Sequence, residues 1–303
     1  MATKRRARPA IDAWATLADF VVRLEDATGL RLTPEQAVIG ADLTFRQWCE
    51  KLAAGGVDAA GNKVDGLKVD GKPFTLDNRP AMAWIYDQIP TTHDDAYRLV
   101  LVLQKCAQVG FTVMEMLAAI YLGLKFGPAI VGMFLPDMNL AGLKSTERFM
   151  PIVRSVPDVH KLMTQDAADG SGRKTGEGNV NRRRIASALF VFSWTSGRAT
   201  TESVPMDILS FDEVQEMTLE QMEKTVERLS ASPVRFTLMG STANWPDADI
   251  NWWYKRGSQH RFHTHCPTCD SRRPLDDYFP QCIRWDGDKK IHRYVCPNGH
   301  WLA

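Results

Sequence analysis

The sequence predicts an α/β fold, with a mostly parallel sheet flanked by helices. Three observations predict it. Short, almost wholly apolar, β-rich runs recur at 97–103 (Y-R-L-V-L-V-L), 129–135 (A-I-V-G-M-F-L), 185–194 and 206–211, as strands buried on both faces require. Segments of helical period separate them, the alternation that builds parallel sheets. A glycine-containing loop joins the first run directly to an apolar helix.

The 303 residues suffice for one large or two modest domains, and the net charge of +1 gives no overall field toward nucleic acid. Basic residues do cluster locally, at Lys4, Arg5, Arg6 and Arg8 and again at Arg182, Arg183 and Arg184. Such runs are solvated tails or loops more often than phosphate-backbone contacts. The longest apolar run, 113–124, is interrupted by Glu115. It falls short of the roughly 18 residues of a spanning helix and fits a buried core helix. The basic N-terminus lacks the apolar stretch of a signal peptide, so a cytosolic setting is expected.

Along the chain, Ile11, Trp14, Leu17, Phe20, Val21 and Leu24 have helical spacing, and Thr33 with Gln36 forms a capping box. A second helix is expected over 43–52. The Gly-, Asp- and Lys-rich 53–72 marks loops or a hairpin, and 80–89 is helical. After the 97–103 strand comes K-C-A-Q-V-G-F-T, then the helix from Thr112, which Gly127 and Pro128 end. An amphipathic helix is expected over 139–153, a polar Gly-rich loop over 170–181, and a strand over 185–194. Thr218 and Gln221 cap a helix whose apolar residues are Met222, Val226 and Leu229. The 234–239 stretch alternates as a strand.

Residues 105–112 resemble a phosphate-binding loop whose lysine sits at the wrong end. In G-x-x-x-x-G-K-[ST] the backbone N–H groups cradle phosphates and the hydroxyl holds Mg²⁺. Gly110 and Thr112 keep their places, Phe111 takes the lysine position and Lys105 the first-glycine position. The loop amides of Gln108, Val109, Gly110, Phe111 and Thr112, with Lys105, are the candidate nucleotide contacts. On the loop alone, a buried strand meeting a core helix, with Lys105 at the surface, fits equally well. Asp212 and Glu213, at the end of a buried strand, add a Walker B arrangement. There the first carboxylate holds Mg²⁺ and the second polarises the attacking water. Gly240, Ser241, Thr242 and Ala243 end the next strand, where ligands of open α/β sheets bind. Alone that run would be a turn.

Enzymes that transfer a γ-phosphoryl group commonly place an arginine against it. Arg198 is the candidate and the 182–184 run the alternative, although an ordinary surface role fits each. Arg79 could help hold adenine. Trp252, Trp253 and Tyr254 read as core packing more than base stacking.

Four of the six cysteines, Cys266, Cys269, Cys282 and Cys296, lie near the C-terminus. Cys266-Pro-Thr-Cys269 is a knuckle for tetrahedral zinc. In Cys296-Pro-Asn-Gly-His300 a glycine stands where the fourth ligand is expected, and His300 can supply it. Cys₃His leaves no open position, so a structural Zn²⁺ follows. His263, His265, Cys282 and His292 are reserve ligands, and a degenerate ribbon without metal is the other reading.

Taken together, K-C-A-Q-V-G-F-T, I-L-S-F-D-E, L-M-G-S-T-A, the W-P-D-A-D-I-N-W-W-Y-K-R-G-S-Q-H-R-F-H-T-H-C-P-T-C stretch and the upstream G-K-P-F-T-L-D-N-R-P resemble the large subunit of tailed-phage DNA packaging terminases, in its lambda-like branch. That branch is known for a lysine displaced to the start of the loop. The resemblance covers roughly residues 40–303. It implies an ASCE-type P-loop NTPase fold: a helical N-terminal region (1–75), an ATPase domain (76–259) and a small zinc ribbon (260–303). It also implies an ATP-hydrolysing motor that moves double-stranded DNA into a procapsid. Such a motor works in the host cytoplasm as a homo-oligomeric ring, with a terminase small subunit and a portal protein and without a membrane. Lys105, Gly110 and Thr112 would hold phosphate and Mg²⁺. Asp212 would hold the metal, Glu213 would be catalytic, and Ser241 and Thr242 would couple hydrolysis to movement. The family's nuclease domain is not expected here, so no DNA cleavage is claimed. The rival readings are another nucleic-acid-dependent P-loop ATPase such as a helicase, and a non-catalytic zinc-ribbon module on a degenerate P-loop fold.

Overall fold

The structure is a computed structural model, and it describes residues 38–40, 43–57, 63–77, 79–166, 172–196 and 204–302. The expected basic arm, the 11–24 helix, the Thr33 capping box and Arg198 lie outside these residues, as does part of the 170–181 loop. The chain divides into two compact units, one reaching to Tyr254 and the other spanning Lys255–Ala303.

In the first unit, α1 (Phe45–Ala54) starts at Thr44, whose hydroxyl accepts from the Gln47 N–H in a capping box. Short pairs of residues, Gly56–Val57 with Lys63–Val64 and Lys68–Val69 with Lys72–Pro73, follow as the Gly-rich composition suggests. Next come α2 (Pro80–Tyr86), α3 (His93–Arg98), β1 (Val100–Gln104) and α4 (Phe111–Lys125). After β2 (Ile130–Leu135), α5 (Met138–Leu143) runs into a π-helical segment, Lys144–Phe149, and then α6 (Met150–Ser155) and α7 (Pro157–Lys161). The expected single amphipathic helix over 139–153 is thus broken in helical register.

β3 (Met163–Asp166), β4 (Arg173–Thr175), β5 (Arg182–Ile185), β6 (Ala188–Trp194), β7 (Ile208–Asp212), α8 (Leu219–Val226), β8 (Phe236–Ser241) and α9 (Asp249–Arg256) complete the order. The eight-stranded sheet runs β1-β8-β7-β2-β6-β5-β3-β4. β1, β8, β7, β2 and β6 pair in parallel. β5, β3 and β4 extend the sheet antiparallel. The arginine run read as a loop is therefore a strand, hairpinned to β6 through Ala186, whose φ is +50°.

The burial pattern explains the parallel core. β7 and β8 are buried at every position, so the alternation of 234–239 in the sequence does not survive as a half-exposed strand. α4 is apolar around almost its whole circumference and buried from Met114 to Leu124. A helix apolar all round belongs in a core. Each large aliphatic side chain it buries contributes about 1.5–3 kcal/mol. α1 and α2 cover α4: Phe45 stacks on Tyr86 at 4.8 Å, and the Tyr121 hydroxyl donates to the Leu43 carbonyl at 2.7 Å. Ile39, Phe45, Trp48 and Leu67 thereby share one core with α4. A second core joins Phe134, Leu209, Phe211 and Met239 of the sheet to Met222 of α8 and Ile250 of α9. Trp253 packs against it, and Trp252 meets Trp253 edge-on at 4.9 Å, consistent with packing. Among the described residues, no helix is long and apolar enough to cross a membrane.

In the second unit, short antiparallel pairs, Thr264–His265 with Arg272–Arg273 and Ile283–Asp286 with Ile291–Tyr294, surround a minimal core. That core consists of Cys266, Cys296 and Leu302, packed by Cys269 and Leu275.

Candidate functional site

Because β1, β8, β7 and β2 are parallel and adjacent, their carboxyl ends share one sheet edge, where open α/β sheets bind ligands. In the register Gly240 stands opposite both Leu103 and Asp212, and Ser241 opposite Gln104. The 105–110 loop, the Asp212-Glu213 pair and Ser241 are brought to this edge.

The loop turns through left-handed conformations, with Gln108 at φ +60° and Gly110 at +92°. Gly110 is the N-cap of α4, so the first free amides of that helix face outward from the loop. Phe111 does not replace the lysine chemically. Its ring is 2% exposed and lies on the backbone of β8. A Cβ on Gly240 would sit 2.1 Å from the Phe111 ring, so only glycine allows this approach. Lys105 Nζ stands 5.4 Å from the centre of the same ring, a cation–π distance. The displaced lysine thus rests over the aromatic that took its place. Arg79 is the second cation here: a Cβ on Gly110 would meet its guanidinium at 2.7 Å. Gly240→Ala should therefore destabilise the protein by about 1–3 kcal/mol through overpacking, read as a lower denaturant midpoint. Adding Phe111→Leu should recover part of that loss, as contacting residues couple.

Asp212 is 4% exposed, and its Oδ2 accepts from Thr112 Oγ1 at 3.3 Å across 100 residues of sequence. Lys144 Nζ, from the start of the π-helical segment, donates to the same Oδ2 at 2.5 Å. Lys144 also pairs with Glu115 of α4, whose other carboxylate oxygen accepts from the Ser210 hydroxyl. Burial pushes the Glu115 carboxyl up to about 7, against the pull of Lys144. Burial would push Lys144 down, but Glu115 and Asp212 outweigh it and its pKa is raised. Glu213 adopts a left-handed backbone (φ +59°) that turns the chain out of β7, and its N–H donates to Asp212 Oδ1 at 3.0 Å. Gln215 Nε2 donates to the Glu213 carboxylate at 2.5 Å. The Gln215 N–H donates to Ser241 Oγ at 3.1 Å, and the Ser241 hydroxyl donates to its side-chain oxygen. Gln215 thus ties the acid of β7 to the end of β8. Thr242 follows half-buried beyond the strand.

Sequence reasoning missed Lys144, Gln215 and the place of Arg79. Glu115, the lone acid in the apolar run, was the readable signal for a buried cation near α4. Of the arginine run, Arg183 is 5% exposed and bonds Ser145 Oγ at 3.1 Å and the Glu177 carbonyl at 2.9 Å. These contacts oppose a role for Arg183 on a free phosphate.

In the second unit, Cys266, Cys269, Cys296 and His300 bring their ligand atoms within 4.8 Å of one another. Cys269 Sγ and Cys296 Sγ are 3.8 Å apart, and Cys296 Sγ is 3.5 Å from His300 Nδ1. Tetrahedral zinc with Zn–S near 2.3 Å requires S···S edges of about 3.8 Å, so the set fits the ion. A hydrogen bond from the Ser271 amide lowers the Cys269 thiol to about 6, while burial raises Cys296. Cys269 is therefore primed, more than Cys296, to supply the thiolate that a metal needs. The reserve residues lie elsewhere: His265 pairs with Asp270 at 2.7 Å, and His292 meets the Trp285 ring at 5.1 Å.

Fold and site together define a mixed α/β protein whose parallel sheet gathers a glycine loop, a hydroxyl and two acids at its carboxyl edge. Residues 72–302 match the family described as phage terminase large subunit gpA, ATPase domain, and the chain belongs to that family. The matched family is defined by an ATPase domain. Among solved structures, the HK97 bacteriophage large terminase is similar at a TM-score of 0.47 and 13% identity, over 62% of this chain and 37% of that one. The ATPase domain of the Thermus phage P74-26 large terminase is similar at 0.40 and 15%, over 61% of this chain and 76% of that one. This chain thus spans well under half of the HK97 protein it matches. No curated protein matches it.

Proposed function

We propose that the chain is the ATP-hydrolysing motor part of a viral DNA-packaging terminase. It would drive double-stranded DNA into a procapsid, in the host cytoplasm, as a ring with a small subunit and a portal protein. The observation that carries this reading is the Thr112–Asp212 contact at the carboxyl edge, with Glu213 beside it. A hydroxyl at a helix start and a strand-end carboxylate meeting across 100 residues is what a nucleotide–Mg²⁺ site needs.

In this reading residues 76–259 form the ATPase domain. The amides of Gln108 to Thr112 bind the phosphates, and Lys105 supplies the charge that Phe111 cannot. Thr112 and Asp212 hold the metal, which neutralises phosphate charge when bound with ATP. Glu213 accepts the proton of the attacking water. Ser241, through Gln215, senses the state of Glu213 and with Thr242 passes it to β8 and the chain beyond. Arg198 is the proposed γ-phosphate arginine. In residues 260–303, a zinc ribbon, Cys266, Cys269, Cys296 and His300 hold a structural Zn²⁺.

The test is steady-state ATP hydrolysis with double-stranded DNA present. Lys105→Ala should lower kcat/KM by about 10²–10³-fold, the cost of one preorganised charge donor. Wild-type rates in this variant would sink the assignment of Lys105. ATP binding without hydrolysis in the wild type, with DNA and partners supplied, would favour the non-catalytic module.

A further inference from the structure

We propose that Lys144 is a resident cation of the metal site. It holds the Asp212 and Glu115 carboxylates in the position a divalent ion would otherwise take, so that metal enters only together with a nucleotide. The proposal rests on the nucleotide-site reading above and adds a residue that the loop and acid motifs do not contain.

The geometry is the first argument. Lys144 Nζ lies against Asp212 Oδ2 and Glu115 Oε2, with side chains 3%, 6% and 0% exposed. Thr112 Oγ1 reaches the same Asp212 oxygen at 3.3 Å. Two carboxylates and a hydroxyl are a hard-oxygen set suited to Mg²⁺, and the ammonium sits between the two carboxylates.

Charge is the second argument. Lys144 already sets an ammonium against both buried carboxylates, and that positive charge opposes the entry of a bare divalent ion. Without Lys144 that opposition is gone, and both carboxylates can face a divalent ion. Phosphate oxygens of a bound nucleotide would add the negative charge that lets an ion enter beside the lysine.

The third argument is the backbone. Lys144 opens a π-helical segment, Lys144–Phe149, between two α-helices. Such π-helical register shifts are frequent at functional sites. A purely structural role explains the segment less well, because apolar side chains in place of a buried ion triad are often neutral or stabilising.

The two roles separate on metal binding without nucleotide. The measurement is Mn²⁺ binding to the full chain by electron paramagnetic resonance, with no ATP present. Lys144→Met should bind Mn²⁺ about 10–100-fold more tightly than wild type, the scale on which neighbours of a metal ligand act. Adding Asp212→Asn should abolish the gain, and Lys144→Arg should keep the wild-type behaviour. Equal nucleotide-free Mn²⁺ binding by Lys144→Met and wild type would overturn the proposal. If Lys144→Met does not fold, Glu115→Gln/Lys144→Met is compared with Glu115→Gln alone. A gain in the double variant supports the proposal, and no gain overturns it. Failure of the wild type to bind Mg²⁺-ATP would instead count against the ATPase reading, and it leaves the Mn²⁺ comparison intact.

Discussion

Glu213→Gln should stop ATP hydrolysis while nucleotide binding survives. The residue follows β7 in a left-handed conformation, and its amide is anchored on Asp212 Oδ1 at 3.0 Å. Gln215 holds its carboxylate. Such a carboxylate is positioned to take a proton rather than to grip a phosphate. A positioned general base contributes about 10²–10⁴-fold, and the amide removes the base while conserving shape and the Gln215 contact. Single-turnover hydrolysis should fall by that factor, while the Kd for a fluorescent ATP analogue changes little. Wild-type turnover in Glu213→Gln would leave β7 without its catalytic role. Loss of binding along with turnover would move Glu213 from catalysis to structure.

Removing metal from the second unit should unfold it. Its core is Cys266, Cys296 and Leu302, with Cys269 and Leu275 against them, so most of the core is the candidate ligand set itself. A segment this small rarely folds on apolar burial alone. A structural zinc contributes apparent free energies of about 10–16 kcal/mol near neutral pH, far more than this core can. Cys296→Ser, or a strong chelator, should therefore collapse the amide dispersion of residues 260–302 in a heteronuclear NMR spectrum. Zinc content should fall from one per chain toward zero. A second unit that stays folded in chelator, with no zinc by elemental analysis, would refute the metal assignment and favour a ribbon that has lost its ion.

Much of the fold was legible because fully buried strands have no polar face to hide. The runs that became β1, β2 and β7 are nearly continuous apolar residues, and sequence neighbours alone announce such burial. The capping box at Thr218 is local in the same sense. What failed was whatever depended on a distant partner. The 139–153 segment has helical period, but its period hides the π-helical turn that carries Lys144 inward. The arginine run is polar enough to pass for a loop, yet β6 pairs with it and Ser145 and Glu177 satisfy Arg183.

By itself, the sequence determined the strand–loop–helix order, the two acids closing a buried run and the cysteine spacing. Each is a short-range pattern whose chemistry follows from residues a few positions apart. Only the tertiary structure decided that Phe111 lies on Gly240 and that Arg79 crosses the loop. It alone showed that Gln215 joins Glu213 to Ser241, and that Lys144 occupies the focus of Glu115 and Asp212. A buried charge must find its counter-charge wherever the sheet and helices bring one, and no spacing along the chain encodes that meeting.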